Sequence, residues 1–286
     1  MKTLITTDSS SDFSKEILEA RGIKVLRLNV VLGNNEYVDG VTITPSDIFE
    51  FVKLNKKLPK TAALTEDQFK NFFKECLKDA DQIVHIGLSS KLSVQYTQSL
   101  AAAAAFKGKV IVIDSLSLSM GTGLLCLAAQ DLADAGKTAE EIAEIVAPRA
   151  LKTQTSFVIQ DTEYLYRGGR CSGIAMIGAN LLKLKPRIQL VDGAMQPNGM
   201  FRGKMNKVLK EYIDKLFNEY TNIDKTRCAI THSTLETDIV NETVEYIKSK
   251  NIFKEVLVTT AGATITSHCG KGTLGLFFIN DANNEN

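Results

Sequence analysis

The fold is decided by the passage Gln82-Ile83-Val84-His85-Ile86-Gly87, the turn Ser89-Ser90-Lys91-Leu92-Ser93, a helix-spaced stretch over 93–106 and the run Val110-Ile111-Val112-Ile113-Asp114. Two short β-branched runs flank a segment with helical spacing, the pattern of strand, crossover helix and strand. Working outward, Leu4 to Thr7 and Val25 to Val31 are further strand-like runs, and 13–21, 45–54, 65–78 and 118–134 carry helical spacing. That alternation argues for an α/β layer with a parallel sheet. A helix is expected over Thr138 to Leu151. Strands then follow at Ser156 to Ile159, Arg187 to Val191, Arg227 to Thr231, Glu255 to Thr259 and Thr273 to Ile279, with helices at Ser172 to Leu182, Lys204 to Asn218 and Glu236 to Lys248. The second half is therefore also mixed α and β. The reading places a boundary near residue 150, giving an N-terminal α/β domain over 1–150 and a C-terminal one over 151–286, with a ligand expected between them. The polar tail Asp281 to Asn286 reads as a frayed terminus.

The chain has 286 residues, 44% of them hydrophobic, enough for a well-buried core. Its formal net charge is +1 with acids and bases interspersed, which argues against a nucleic-acid partner and against a polybasic membrane anchor. Five scattered cysteines form no CxxC pair, so no metal site is expected and they read as reduced thiols in a cytoplasmic setting. The N-terminus becomes polar by Thr6-Thr7-Asp8, too soon for a signal peptide, and no apolar run approaches the ~18 residues of a membrane span.

Three expected strands end in hydroxyl-rich turns: Thr7-Asp8-Ser9-Ser10-Ser11-Asp12, Ser89-Ser90-Lys91-Leu92-Ser93 and Asp114-Ser115-Leu116-Ser117-Leu118-Ser119. In an open α/β sheet ligands lie beyond the carboxyl ends of the strands, so the three turns are expected to converge on one small anionic group. Each alone is also what a helix N-cap requires. A second cluster, Arg167-Gly168-Gly169-Arg170-Cys171-Ser172-Gly173, runs into the apolar stretch Ile174 to Leu182. Its glycines allow close backbone approach, Arg170 offers a planar fork for carboxylate or phosphate, and the stretch after it suits either the wall of an apolar tunnel or ordinary core. The third cluster, Thr266-Ser267-His268-Cys269-Gly270-Lys271-Gly272, reads as a glycine-punctuated turn. His268 there suits a hydrogen-bond donor to an anion or a proton-transfer group, or simply a surface histidine. His85 reads as a core residue, and His232 as a strand end with no evident partner.

No GxxxxGK[ST] loop, strand-linked GxGxxG, GxSxG elbow or HExxH occurs, so standard nucleotide, hydrolase and zinc-protease sites have no support. Ser93 with His268 is a conceivable nucleophile and base, but no third group can be assigned to orient the imidazole.

Over essentially the whole chain, these clusters and their order resemble the DegV family, whose characterised members are the fatty acid-binding subunits of bacterial fatty acid kinase. The resemblance is carried by Thr7 to Asp12, Asp114 to Gly121, Arg167 to Gly173, Leu184-Lys185-Pro186, and Ser267 to Gly272 before Leu274-Gly275-Leu276-Phe277-Phe278. It implies two intimately packed α/β domains of the DegV type, a mostly parallel sheet in the first and a mixed sheet in the second, with a long acyl chain buried between them. Carried over by position, Thr61, Ser93 and His268 match the family's carboxylate-binding residues, with Ala62 and Ser119 beside them. Arg170 and Arg202 match basic residues that look toward the kinase subunit and its nucleotide.

The chain departs from the family at three places. The hydroxyl that often follows the threonine is Ala62, the common Ser-Gly-Leu-Ser-Gly turn is Ser90-Lys91-Leu92-Ser93-Val94, and the usual Gly-Pro-Gly is Gly270-Lys271-Gly272.

The function so implied is a cytoplasmic carrier without a cofactor or catalytic residues of its own. Its partners would be a long-chain fatty acid and a kinase catalytic subunit that brings ATP and Mg²⁺ and forms acyl phosphate for phospholipid synthesis, with transient membrane contact allowed. A stand-alone acyl hydrolase using Ser93 and His268, and a lipid-responsive regulatory module, are the other classes compatible with the sequence.

Overall fold

A computed structural model describes residues 1–171, 173 and 184–282. The N-terminal half supplies strands β1 (Thr3–Asp8), β2 (Lys24–Leu26), β3 (Asn29–Leu32), β4 (Asn35–Val38), β5 (Lys60–Ala62), β6 (Gln82–Gly87) and β7 (Val110–Asp114). Its helices are α1 (Lys15–Arg21), α2 (Pro45–Asn55), α3 (Glu66–Cys76), α4 (Gln95–Ala103), α5 (Met120–Asp134) and α6 (Ala139–Ala150). The C-terminal half adds β8 (Thr153–Val158), α7 (Glu163–Gly168), β9 (Leu184–Val191), β10 (Ala194–Arg202), α8 (Met205–Glu219), β11 (Arg227–Ser233), α9 (Thr237–Ser249), β12 (Glu255–Thr260), α10 (Ala263–Cys269) and β13 (Thr273–Ile279).

The expected α/β class holds. Strands β2-β1-β6-β7 form a sheet whose every pairing is parallel. Strands β10-β9-β8-β13-β11-β12 form a mixed sheet, antiparallel except at β11 and β12. A small antiparallel sheet, β4-β3-β5, completes the set.

Helix α5 is buried from Met120 to Ala129. Its apolar residues join Ile5 and Ile86 of the parallel sheet and Phe157 and Phe277 of the mixed sheet in one core. The approach is close enough that a methyl group at Gly121 would run into Ser117 Oγ and Thr155 Oγ1. On the far face of the parallel sheet, Phe69 and Phe73 of α3 set their rings edge-on to His85, which also bonds Thr6 Oγ1 through Nδ1 at 3.0 Å. His85 is a partnered core residue, as expected. The far face of the mixed sheet is covered by α8 and α9, where Tyr212 donates to the Ser156 carbonyl at 2.7 Å and accepts from Leu276 N at 3.2 Å.

Some expectations need correction. Val25 to Val31 is two strands in two sheets, because Leu28 N–H donates to Ser9 Oγ (3.0 Å) and its carbonyl accepts from Asp39 N (2.9 Å), taking it out of any ladder. Thr266 to Cys269 is helix rather than turn, ended by Gly270 at φ 69°. Asp281 is not frayed: it is buried and accepts from Arg149 Nε at 2.7 Å and Nη2 at 2.9 Å. The helix expected over Ser172 to Leu182, with its tunnel wall, lies outside the described residues except for Gly173.

Candidate functional site

A cavity of about 410 Å³ lies between the two halves. Leu28, Leu92 and Leu118 from the first half and Phe157, Met195 and Phe277 from the second make its wall predominantly apolar, as ligand cavities usually are. Polar groups interrupt it in a few places.

The structure brings Thr61, Ala62, Ser93, Ser119, Arg170 and His268 to this one wall. Arg202, at the exposed end of β10, is not among the lining residues. Thr61 arrives on β5, whose pairing with β3 fixes Thr61 opposite Val30. His268 sits in the last turn of α10, and its Nε2 lies 3.0 Å from Thr61 Oγ1. Ser93 precedes α4, and its hydroxyl oxygen accepts from Gln95 N at 3.4 Å. Ser119 caps α5 with φ 51°, a left-handed conformation that strains a residue with a side chain, and its N–H donates to Ser10 O at 2.8 Å. Ser93 and His268 share no hydrogen bond, so the serine has no base in contact.

Only two of the three hydroxyl turns reach the cavity. The first is buried and turned inward. Asp8 accepts from Ser10 N (2.9 Å) and Leu88 N (3.0 Å), and Ser9 Oγ donates to Asp39 Oδ2 (2.9 Å). Asp12 accepts from Gly262 N (2.7 Å), while Asp39 accepts from Ala263 N (2.8 Å) and Thr264 N (3.2 Å). The turn therefore holds the start of α10, the helix that carries His268. The hydroxyls of Ser9, Ser10 and Ser11 are consumed in this scaffold instead of serving an anion. The second and third turns are tied together by Asp114 Oδ1, which accepts from Ser90 N (3.1 Å) and Leu116 N (3.0 Å).

Burial dominates the electrostatics of these groups. It lowers His268 to about 4, with the Arg170 charge adding to the effect, so the ring is neutral at physiological pH. Burial, reinforced by the charges of Asp39 and Asp8, raises Asp12 well above the usual carboxylate range against the hydrogen bond from Gly262 N. At the cavity rim Lys91 and Arg170 are exposed, with no ion pair among the described residues, and both favour a negative ligand end. Lys271 is exposed but does not line the cavity.

Several wall residues were not singled out from sequence: Gln95, Thr231, Ser233, Thr264 and Thr273. Thr231 and Ser233 end β11 at its carboxyl side, the position at which such sheets gather ligands, and that rule applied to the second half would have found them. His232 beside them lines the same wall, and burial lowers its proton affinity. Among the described residues no group of three or more His, Cys, Asp or Glu side chains is arranged to hold a metal ion.

The two halves of this α/β chain line a predominantly apolar cavity with hydroxyls and a neutral imidazole in its wall, a build suited to holding a ligand. The chain belongs to the DegV family: the family profile, described as an uncharacterised protein of that family, matches residues 2–281. A DegV domain-containing protein of Clostridium perfringens is 30% identical over 288 residues, covering 98% of each chain. Another, from Caldanaerobacter subterraneus, is 29% identical over 97% of this chain and 98% of its own.

Among solved structures, a DegV family protein from Thermus thermophilus described as fatty acid binding superposes with a TM-score of 0.90 at 29% identity, over 98% of this chain and 100% of that one. DegV of Bacillus subtilis, described as a fatty acid binding protein, gives 0.84 at 26% identity over 98% and 100%.

Proposed function

We propose that this chain buries one long-chain fatty acid between its halves and presents the carboxylate at Thr61, Ser93 and His268 to a separate kinase. The observation that carries the reading is the Thr61 and His268 pair, 3.0 Å apart, in the wall of a predominantly apolar cavity. Relatives described as fatty acid binding support the choice of ligand. Affinity comes from the acyl chain, since each buried methylene gains ~0.8 kcal/mol. The polar end orients it, because an unpaired buried carboxylate is very costly and needs donors.

The kinase would supply ATP and Mg²⁺. A carboxylate oxygen then attacks the γ-phosphorus, the bond to the β,γ-bridging oxygen breaks, ADP leaves and an acyl phosphate forms for phospholipid synthesis. This chain's part is to hold the nucleophile in line. That Ser93 shares no hydrogen bond with the His268 ring weighs against the hydrolase reading.

Native mass spectrometry of the purified protein, followed by solvent extraction, is expected to show one acyl chain per protein. A lipid-free protein that also fails to take up palmitate would refute the carrier reading. ATP-dependent acyl phosphate formation by the purified chain alone would refute the division of labour. Lipid binding with no kinase association would favour a lipid-responsive regulator.

A further inference from the structure

The two ring nitrogens of His268 have different surroundings. Nε2 lies 3.0 Å from Thr61 Oγ1, whereas Nδ1 is shut off from solvent and has no hydrogen-bond partner among the described residues. The backbone of Gly168 packs on that second nitrogen, so closely that a methyl group built there would stand 2.7 Å from Nδ1. Arg170 is anchored on the same side, donating from Nη1 to the Gly168 carbonyl oxygen at 2.7 Å.

A neutral imidazole carries one proton, on one nitrogen or the other. Either placement allows the bond to Thr61, with the ring as donor or as acceptor. The difference is therefore made at Nδ1. A proton there would be a buried N–H with no acceptor beside a guanidinium. A bare nitrogen there leaves only an unused lone pair, which the guanidinium's charge favours, and unpaired buried acceptors are tolerated better than unpaired N–H groups.

We infer that Gly168 and Arg170 are positioning residues that fix His268 as its Nε2–H tautomer, so that Thr61 accepts from the ring and directs its own hydroxyl proton at an oxygen of the ligand. This deepens the proposed fatty acid site and rests on it for the identity of the ligand. It makes the polar end of the cavity a committed donor, matched to a carboxylate. It also denies His268 the bare Nε2 that a base for Ser93 would need.

The chain has three histidines, so histidine labelled with nitrogen-15 in the full chain gives three rings to resolve by long-range proton–nitrogen correlation. His268→Gln assigns the ring in question. At pH 7 the Nε2–H form of His268 is expected in at least tenfold excess. An Nδ1–H ring, or comparable amounts of both forms, overturns the inference.

Gly168→Ala is expected to abolish the single-tautomer signature and to speed palmitate release at least tenfold. If circular dichroism shows that this variant does not fold, Arg170→Gln carries the test: the Nδ1–H population is expected to rise at least threefold, and Arg170→Lys to restore it. An unchanged tautomer ratio in Arg170→Gln, or in a folded Gly168→Ala protein, overturns the assigned role of that residue. Should the wild type show the Nε2–H ring yet bind no palmitate, the fatty acid reading fails while the tautomer stands.

Discussion

The Thr61 hydroxyl and the His268 ring act as one unit across 207 positions of sequence, so neither can be altered without changing what the other offers. Thr61→Val keeps the shape of the side chain and removes its hydroxyl. Loss of a hydrogen bond to a charged group costs roughly 1.5–3 kcal/mol, so palmitate affinity measured by titration calorimetry should fall about tenfold to a hundredfold. Ser93→Ala should weaken affinity in the same direction, and unchanged values for both variants would place the carboxylate elsewhere. The ring also carries a pH prediction. Its folded proton affinity is depressed to about 4, below the unfolded value near 6.5, so between these limits the unfolded chain binds more protons. The resulting loss of stability begins as pH falls through about 6.5 and is complete by about 4, amounting to about 2 kcal/mol by pH 5. His85, lowered by burial to about 3, acts in the same sense. A His268→Gln variant should lose less stability than wild type in urea melts between pH 7 and pH 5.

At the scale of elements, two helices are fixed by what lies at their ends and edges. The first turn of α10 rests on Asp39, which accepts from Ala263 N and Thr264 N. Asp39→Asn keeps the size and removes one acceptor and the charge that the helix dipole favours, at a cost of about 1–2 kcal/mol. The variant should also release palmitate faster, since α10 carries His268. Along α5 the small side of Gly121 admits Ser117 and Thr155, and Gly121→Ala overpacks that contact by roughly 1–3 kcal/mol, readable as a lower urea midpoint. The sequence displays such devices unevenly. β1, β6, β7 and β13 were legible because long β-branched or apolar runs bounded by turn residues have few alternatives. β5 is three residues long and exists through its pairing with β3, and β10 carries Pro197, Asn198 and Gly199 at a register shift, so neither announces itself by periodicity. Helices α7 and α10, of six and seven residues, are too short for a helical period to show. Of the site, Ser93 and His268 stood out in their turns, and Thr61 was visible through family resemblance. Their convergence depended on pairings that no local pattern encodes.

For the molecule as a whole, the cavity lies at the join of the halves, so a ligand held there would stabilise the fold. Palmitate at a hundred times its dissociation constant should raise the unfolding free energy by about 2.7 kcal/mol, seen as a higher midpoint for the loaded than for the delipidated protein. An unmoved midpoint under saturating palmitate would mean that the lipid does not occupy the join. The order in which the chain is made bears on this. β13, the last of the thirteen strands in the order of synthesis among the described residues, does not lie at an edge: it is inserted between β8 and β11. A nascent chain still short of β13 lacks the strand that joins β8 to β11. Such non-local pairing is slow, and its unpaired edges are exposed meanwhile. The cavity takes Thr273, Gly275 and Phe277 from β13, so its wall is complete only once that strand has been inserted.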